Sequence, residues 1–253
     1  MLEHSGPNEM LDIRRGPFGS RRANDRPMPY TEFRTARPER PRALFFVGGF
    51  TLTMLAGAIN VAMLSYYAVP VSHMSGAVSR LSMDLGTQHY TDLVTIAFIV
   101  GGFALGCVFT GALVSTNALA SRRRYALVLA CEAAVLALAA ALQGSAVNMS
   151  VILGAAACGI QNAMASSYYG LVVRTTHVTG IITDLGFMLG ACLTGQRFLW
   201  WKVLLLVVLV AGYLSGGIAA AILTPLAPRL MLWCCCVLAA AIAIGCLFLH
   251  REK

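Results

Sequence analysis

The sequence predicts an all-α, polytopic membrane protein built from two related halves, and three observations predict it. Only 12% of the 253 residues are charged while 58% are hydrophobic, which is about half the charge of a water-soluble domain. Apolar stretches beyond the roughly 18 residues that mark a bilayer-crossing helix recur between Ala43 and Leu249. An internal repeat, anchored on two His-x-[Ser/Thr]-Gly elements, then divides this apolar body in two. Lipid is the expected solvent for most of the chain.

Residues 1–42 differ in kind. They hold nine of the 19 Lys+Arg and six of the 11 Asp+Glu, without an apolar run. So little apolar surface cannot offset the entropy of ordering, so the expectation is a disordered, arginine-rich tail solvated on the cytoplasmic side, where its charge enforces topology. The first apolar stretch opens only after Arg42, too late for the core of a secretory signal. The remainder, 43–253, reads as one transmembrane domain with repeat one at 43–145 and repeat two at 146–250.

Hydropathy predicts spanning helices near 43–66, 92–116, 125–142, 149–170, 200–223 and 230–249, each long enough to cross. Two shorter segments remain, near 74–86 and 178–194. The repeat centres on them. Ser72 to Gly86 aligns with Thr176 to Gly190, pairing His73 with His177, Gly76 with Gly180, and Leu85 with Leu189. Upstream, Gly57, Asn60, Tyr66 and Tyr67 fall on Gly159, Asn162, Tyr168 and Tyr169. Downstream, Gly102 and Gly106 fall on Gly212 and Gly216. Apolar helices share Leu and Ala by chance, but not a His-x-[Ser/Thr]-Gly element.

Charge decides whether the short segments cross, because Lys and Arg near span ends concentrate on the cytoplasmic side. Eight spans would put Arg122, Arg123 and Arg124 outside while the tail is inside. Six spans, with both short segments dipping in and returning, put the tail, the arginine triplet, Arg174, Arg197, Lys202 and the Arg251 to Lys253 end all inside. The expected architecture is therefore six transmembrane helices plus two short membrane-dipping helices. Three crossings per repeat is an odd number, which makes the halves inverted repeats, an architecture that puts solute sites near the midplane.

The polar residues gather in the short segments, as the lining of a cavity requires. His73 and His177 each precede a [Ser/Thr]-Gly pair in which Ser75 or Thr179 could cap a short helix and Gly76 or Gly180 could turn the chain. Arg80 and Asp184 occupy equivalent positions, and are expected to pair near the pseudo-two-fold axis, since an unpaired charge there would be costly. Glu132, inside a predicted span, is a proton-relay candidate; a snorkelling or packed neutral carboxyl is the competing reading. Asn60 and Asn162 are read as interhelical clamps or solute contacts. The small-residue faces of Gly102-x-x-x-Gly106 and Gly212-x-x-x-Gly216 point to close helix packing, within the chain or in a homo-oligomer. Trp200, Trp201 and Lys202 form an interfacial anchor. All eight cysteines lie in apolar segments and read as packing residues, not disulfides or metal ligands.

The segments Gly57-x-x-Asn60, His73-Met-Ser-Gly76, Gly159-Ile-Gln-Asn162-Ala and His177-Val-Thr-Gly180 resemble the YoaK-like family of bacterial multi-pass membrane proteins, over about 43–249. The resemblance implies a polytopic bacterial membrane protein without an established substrate. Members of that family often carry an acidic residue where this chain has Asn60, a departure that puts an ion-coupling role at that position in doubt.

The function these readings support is a secondary transporter or channel-like permease for a small polar or anionic solute, with its site between the two short helices. Its substrate-binding residues would be His73, Ser75, Gly76, Arg80, His177, Thr179, Gly180, Asp184, Asn60 and Asn162. No G-x-x-x-x-G-K-[ST] motif occurs, so transport would be gradient-driven or passive. The alternatives are a non-catalytic scaffold or sensor and, with less support, a membrane-embedded enzyme, since no His-x-x-x-His spacing offers a metal site. No cofactor, metal or nucleic-acid partner is expected. The expected location is the bacterial cytoplasmic (inner) membrane, with both termini cytoplasmic.

Overall fold

A computed structural model describes residues 43–67, 70–88, 90, 92–114, 122–166, 175–194 and 200–248. The arginine-rich tail, Tyr168, Tyr169, Arg174, Arg197 and the Arg251 to Lys253 end lie outside the described residues. Eight helices follow one another: α1 (Ala43–Tyr67), α2 (Met74–Gly86), α3 (Leu93–Val114), α4 (Arg122–Leu142), α5 (Val147–Ser166), α6 (Val178–Leu193), α7 (Trp200–Leu226) and α8 (Pro228–Phe248). Among the described residues no strand occurs. Six of the helices, all but α2 and α6, are long and apolar enough to cross a membrane. Helix is the form such segments must take in lipid, because it satisfies every backbone N–H and C=O within the segment. The protein is a membrane-spanning helical protein.

Turns at one end of the molecule are tight. Four residues, Gln143 to Ala146, link α4 to α5, with the Ala146 N–H donating to the Leu142 carbonyl at 2.9 Å. Ala227 alone separates α7 from α8. Pro228 opens α8, a position where its missing N–H would have had no helical partner.

The helix pairs meet through a repeated glycine register. Gly212 and Gly216 of α7 lie against the backbone of Phe50 and Met54 in α1. Gly102 and Gly106 of α3 lie against the backbone of Ile152 and Ala156 in α5. A third pair completes the set, with Gly57 on the Tyr213 carbonyl and Gly159 on the Phe103 carbonyl. A Cβ at Gly57, Gly106, Gly159 or Gly216 would overlap a backbone oxygen of the partner helix. These glycines therefore allow the close backbone approach on which association in lipid depends. Each contact in one half has its counterpart at the aligned position of the other.

The same contacts fix helix directions. The Phe50, Met54 and Gly212, Gly216 order makes α1 parallel to α7, and the corresponding order makes α3 parallel to α5. Gly154, early in α5, lies against Met63, late in α1, while Gln161, late in α5, donates Nε2 to the Leu52 carbonyl in the first half of α1 at 2.9 Å. Helices α1 and α5 are thus antiparallel. Gln143, just past α4, donates to the Pro228 carbonyl that opens α8 at 3.1 Å, and at mid-helix the Cys236 thiol donates to the Ala133 carbonyl at 3.2 Å, so α4 and α8 are also antiparallel. It follows that α1 and α3 run in opposite directions, as do α5 and α7. A chain that crosses at α1 and returns at α3 leaves α2 no net crossing, and the same holds for α6.

The core lies where α1, α4, α5 and α8 meet, with Ile59, Met63, Leu136, Cys158, Leu232 and Ala239 among its fully or nearly fully buried members. Helix α5 is the most enclosed span: 67% of its apolar window is buried, against 28–44% for the others. It is also the least apolar, which fits a helix that faces protein more than lipid.

Two expectations fail at the short helices. α2 packs on α3 and α6 on α7, and among the described residues α2 and α6 make no contact with each other. Arg80 does not pair with Asp184; its guanidinium Nη2 bonds Asp92 Oδ2 at 3.1 Å, just before α3 begins. The reason is geometric. α2 lies beside the start of α3 and α6 beside the start of α7, and because α3 and α7 run in opposite directions those two starts stand at opposite ends of the bundle. The caps differ as well: α2 and α6 begin at Met74 and Val178, His73 and His177 are the cap residues, and neither helix has a side-chain cap bond. Ser75 and Thr179 already lie inside the first turn.

Candidate functional site

Two mirrored polar clamps hold the stretches that lead into the short helices. In the first half, Asn60 Oδ1 accepts from the Ser72 hydroxyl at 2.7 Å and from the Ser72 N–H at 3.3 Å. In the second, Asn162 Oδ1 accepts from the Thr175 hydroxyl at 3.0 Å and from the Thr176 N–H at 3.2 Å, while its Nδ2 donates to the Thr176 hydroxyl. Asn60, Ser72, Asn162, Thr175 and Thr176 are all buried. An Asn buried in lipid-facing helices needs partners for its amide, and both find them in the chain segment that must leave the helical ladder. Asn60 and Asn162 thus hold the linkers that lead into α2 and α6, where an interhelical clamp would have bonded a second helix.

From these clamps the histidines take different surroundings. His73 is half-buried, with its ring edge-on to Tyr213, centroids 6.5 Å apart at 89°. His177 is exposed, its ring folded over Gly180, where a Cβ would meet it. Each histidine carbonyl accepts the first-turn N–H of its helix, from Ala77 and Ile181, at 3.1 Å in both cases. The Tyr213 hydroxyl lies near the Ser72 hydroxyl, which donates to Asn60 and keeps its lone pairs for an incoming donor. The other residues expected to bind solute, Ser75, Gly76, Arg80, Thr179 and Asp184, lie on exposed faces of α2 and α6, with Gly180 partly covered. The structure therefore does not bring the ten expected site residues into one place. It gathers Asn60 with His73, and Asn162 with the stretch before His177.

A cavity lies elsewhere. A crevice of about 290 Å³ enters the bundle between α1, α4, α5, α7 and α8, lined by Leu52, Tyr125, Leu129, Met164, Leu209 and Cys246 among others. All of its lining residues come from the start of α1, α4 and α7 or the end of α8, or from late in α5 and just beyond. It thus opens at the end of the molecule where α1 starts. The opposite end is filled: Met63 packs on Gly154, the Arg229 guanidinium lies over Gly144, and Gln143 reaches the Pro228 carbonyl.

Beyond the floor of the crevice stand two orphaned polar groups. Tyr125, Leu129 and Glu132 are spaced four and three residues apart, one face of α4, and Glu132 lies about 4.5 Å further along the axis than Leu129. Glu132 is fully buried, and neither carboxyl oxygen has a partner among the described residues. Gln161 is fully buried too; its amide N–H bonds Leu52, a crevice residue, but its Oε1 has no partner among the described residues. Buried polar atoms are nearly always satisfied, so these orphans stand out. Cys158 of α5 and Cys235 of α8 are the electrostatic neighbours of Glu132. Sequence reasoning singled out Glu132 but passed over Gln161, Ser72, Thr175, Thr176 and Tyr213. Gln161 stood beside Asn162 in a repeat motif, and Ser72 and Thr176 stood beside the histidines, which was the available signal.

None of the eight cysteines is in a disulfide. Among the described residues no cluster of three or more His, Cys, Asp and Glu side chains is arranged to hold a metal.

No curated protein and no solved structure matches the chain. A family model described as Protein of unknown function (DUF1275) matches residues 48–245, the span that includes both clamps, the glycine registers and Glu132. The YoaK-like resemblance of the repeat motifs is consistent with membrane proteins of that family. With most of its length covered by the match, the chain belongs to the DUF1275 family, a family of proteins of unknown function.

Proposed function

We propose that this protein is a gradient-driven secondary transporter or channel-like permease of a bacterial cytoplasmic membrane, with both termini cytoplasmic and its halves arranged as inverted repeats. The antiparallel course of equivalent helices, α1 with α5 and α4 with α8, supports the inversion. Charge supports the orientation: Arg123, Arg124 and Lys202 start α4 and α7 at the end where α1 starts, and Arg229 starts α8 at the other. The Lys202 ammonium lies 5.7 Å from the Trp201 ring centroid, the pairing of cation and amphipathic ring that suits a headgroup region.

The observation that carries the transport reading is the one-sided crevice. It stops about one helical turn short of Glu132 and Gln161, and the far end is packed. A path open to one side and sealed on the other is the form a permease takes in one of its two access states. Among the crevice side chains, hydroxyls come from Thr51, Tyr125 and Thr175, and the rest are largely apolar. That lining suits a small, weakly polar solute better than an anion, because Arg80, a cation among the expected solute contacts, is committed to Asp92 at an exposed site. Asn60 and Asn162 then serve as the fixed points from which the short helices, with His73 and His177 at their starts, could swing. The Gly102 and Gly212 faces are used within the chain, so a homo-oligomer would have to use another surface.

Reconstitution into proteoliposomes tests the reading. A panel of labelled small solutes should include at least one whose flux exceeds that of empty vesicles and is lost in Gly48→Leu and Gly245→Leu. Both glycines line the crevice, and a Cβ at either meets nothing within 4 Å, so a larger side chain can start from either one into the path. Flux equal to empty vesicles across the panel, under gradients of either sign, would favour the scaffold reading instead.

A further inference from the structure

We propose that Glu132 is a proton-binding site of this protein, loaded through the crevice from the end of the bundle where α1 starts. The inference rests on the permease reading for its purpose, since it names the ion that would couple transport, but its chemistry stands on the geometry around the carboxyl.

The groups facing Glu132 define what can bind there. From α5 comes the Cys158 thiol and from α8 the Cys235 thiol. Among the described residues no Lys, Arg or His faces the carboxyl, and no N–H or O–H donates to it. An ionised carboxyl in such a place has neither countercharge nor solvent. The ligand that corrects this must supply positive charge or a donor hydrogen, because the orphaned atoms in this layer, Glu132 Oε1 and Oε2 and Gln161 Oε1, are all acceptors when the carboxyl is ionised.

Size and coordination choose among cations. Hard metal cations require about six oxygen ligands in a shell, and one carboxylate with one amide oxygen cannot provide it. A proton needs a single oxygen. The step is a proton transfer from hydronium in the crevice water to a Glu132 carboxylate oxygen: one O–H bond of the hydronium breaks, one O–H bond forms on the carboxyl, a water molecule is left behind, and nothing is oxidised or reduced.

Access is set by the two ends of the bundle. On the α1-start side the crevice reaches Leu129 and Leu52, the residues next to Glu132 on α4 and bonded by Gln161 on α1. On the other side Leu136, fully buried one turn beyond Glu132, and Met231 and Leu232 at the start of α8 close the core. Proton entry from that end would require the sealed packing to open, which is what an alternating-access cycle would do.

Infrared difference spectroscopy of the full-length protein in lipid nanodiscs tests this directly. Titration from acid to alkaline buffer should show a protonated-carboxyl stretching band that disappears, should lose that band in Glu132→Gln, and should keep a shifted version of it in Glu132→Asp. Deuterium exchange of the band should slow in Gly48→Leu and Gly245→Leu. A spectrum unchanged by Glu132→Gln over the whole range overturns the site. Exchange as fast in both plugged variants as in the native chain overturns the route, and loss of the band on adding sodium at fixed pH overturns the proton as ligand. Failure of the solute-flux assay with the Glu132 band intact would remove the permease reading and leave the proton site standing.

Discussion

The Gln161 side chain of α5 donates to the backbone carbonyl of Leu52 in α1, 2.9 Å away and 109 residues apart in sequence. That bond joins the late part of one repeat's leading helix to the early part of the other's, and it sits beneath the crevice. It also illustrates why the two halves cannot be separated: each leading helix packs mainly on helices of the other half, α1 on α7 and α5 on α3.

The mirrored glycine registers make a paired prediction. Gly106→Leu and Gly216→Leu should each destabilise by about 3 kcal/mol or more, beyond the usual cost of overpacking, because the obstacle is a backbone oxygen and not a side chain. Gly101→Leu and Gly111→Leu, where an added Cβ meets open space, should change stability by less than about 1 kcal/mol. Thermal unfolding in detergent, followed by intrinsic fluorescence, checks both pairs.

The asparagine clamps should be unequal. Asn162→Ala removes three hydrogen bonds and Asn60→Ala two, and each leaves buried hydroxyls and an N–H unsatisfied, so losses of about 1–3 kcal/mol are expected, larger at Asn162. A double-mutant cycle of Asn60→Ala with Ser72→Ala should reveal a coupling of about 0.5 kcal/mol or more. Additivity would mean that the bond contributes nothing.

The Arg80 and Asp92 pair is exposed on both sides, at 60% and 59%. Surface pairs of this kind contribute about 0–1 kcal/mol and less in salt, so Asp92→Asn should have little effect on unfolding. Arg80→Ala and Asp184→Asn should combine additively, since α2 and α6 do not touch.

Much of the architecture was legible because lipid imposes simple rules. Spans predicted at 43–66 and 92–116 appear as Ala43–Tyr67 and Leu93–Val114, since a bilayer-long apolar run has little alternative to helix. The short segments were legible as well, starting at Met74 and Val178, because the repeat located them independently of hydropathy. What could not be read was where α2 and α6 lie. Symmetry pairs Arg80 with Asp184 in the alignment, but only positions near the axis approach each other, and nothing in the motif gives distance from the axis. Arg80 found a carboxylate twelve residues along its own chain instead. The caps were misread for a related reason: Ser and Thr beside Gly resemble capping residues, yet their neighbours Ser72 and Thr176 were the ones held, by asparagines from another helix. The crevice was not legible at all, since it arises from which helix ends meet.

Side-specific labelling of single cysteines in a background where native cysteines are replaced by serine tests the central claim, that the short helices return to the side they came from and the halves are inverted. Cysteines placed at Arg123 and at Lys202 should react with an impermeant maleimide from the same side of the membrane, and one placed at Arg229 only from the opposite side. Labelling of the Arg123 and Lys202 positions from opposite sides would contradict the account.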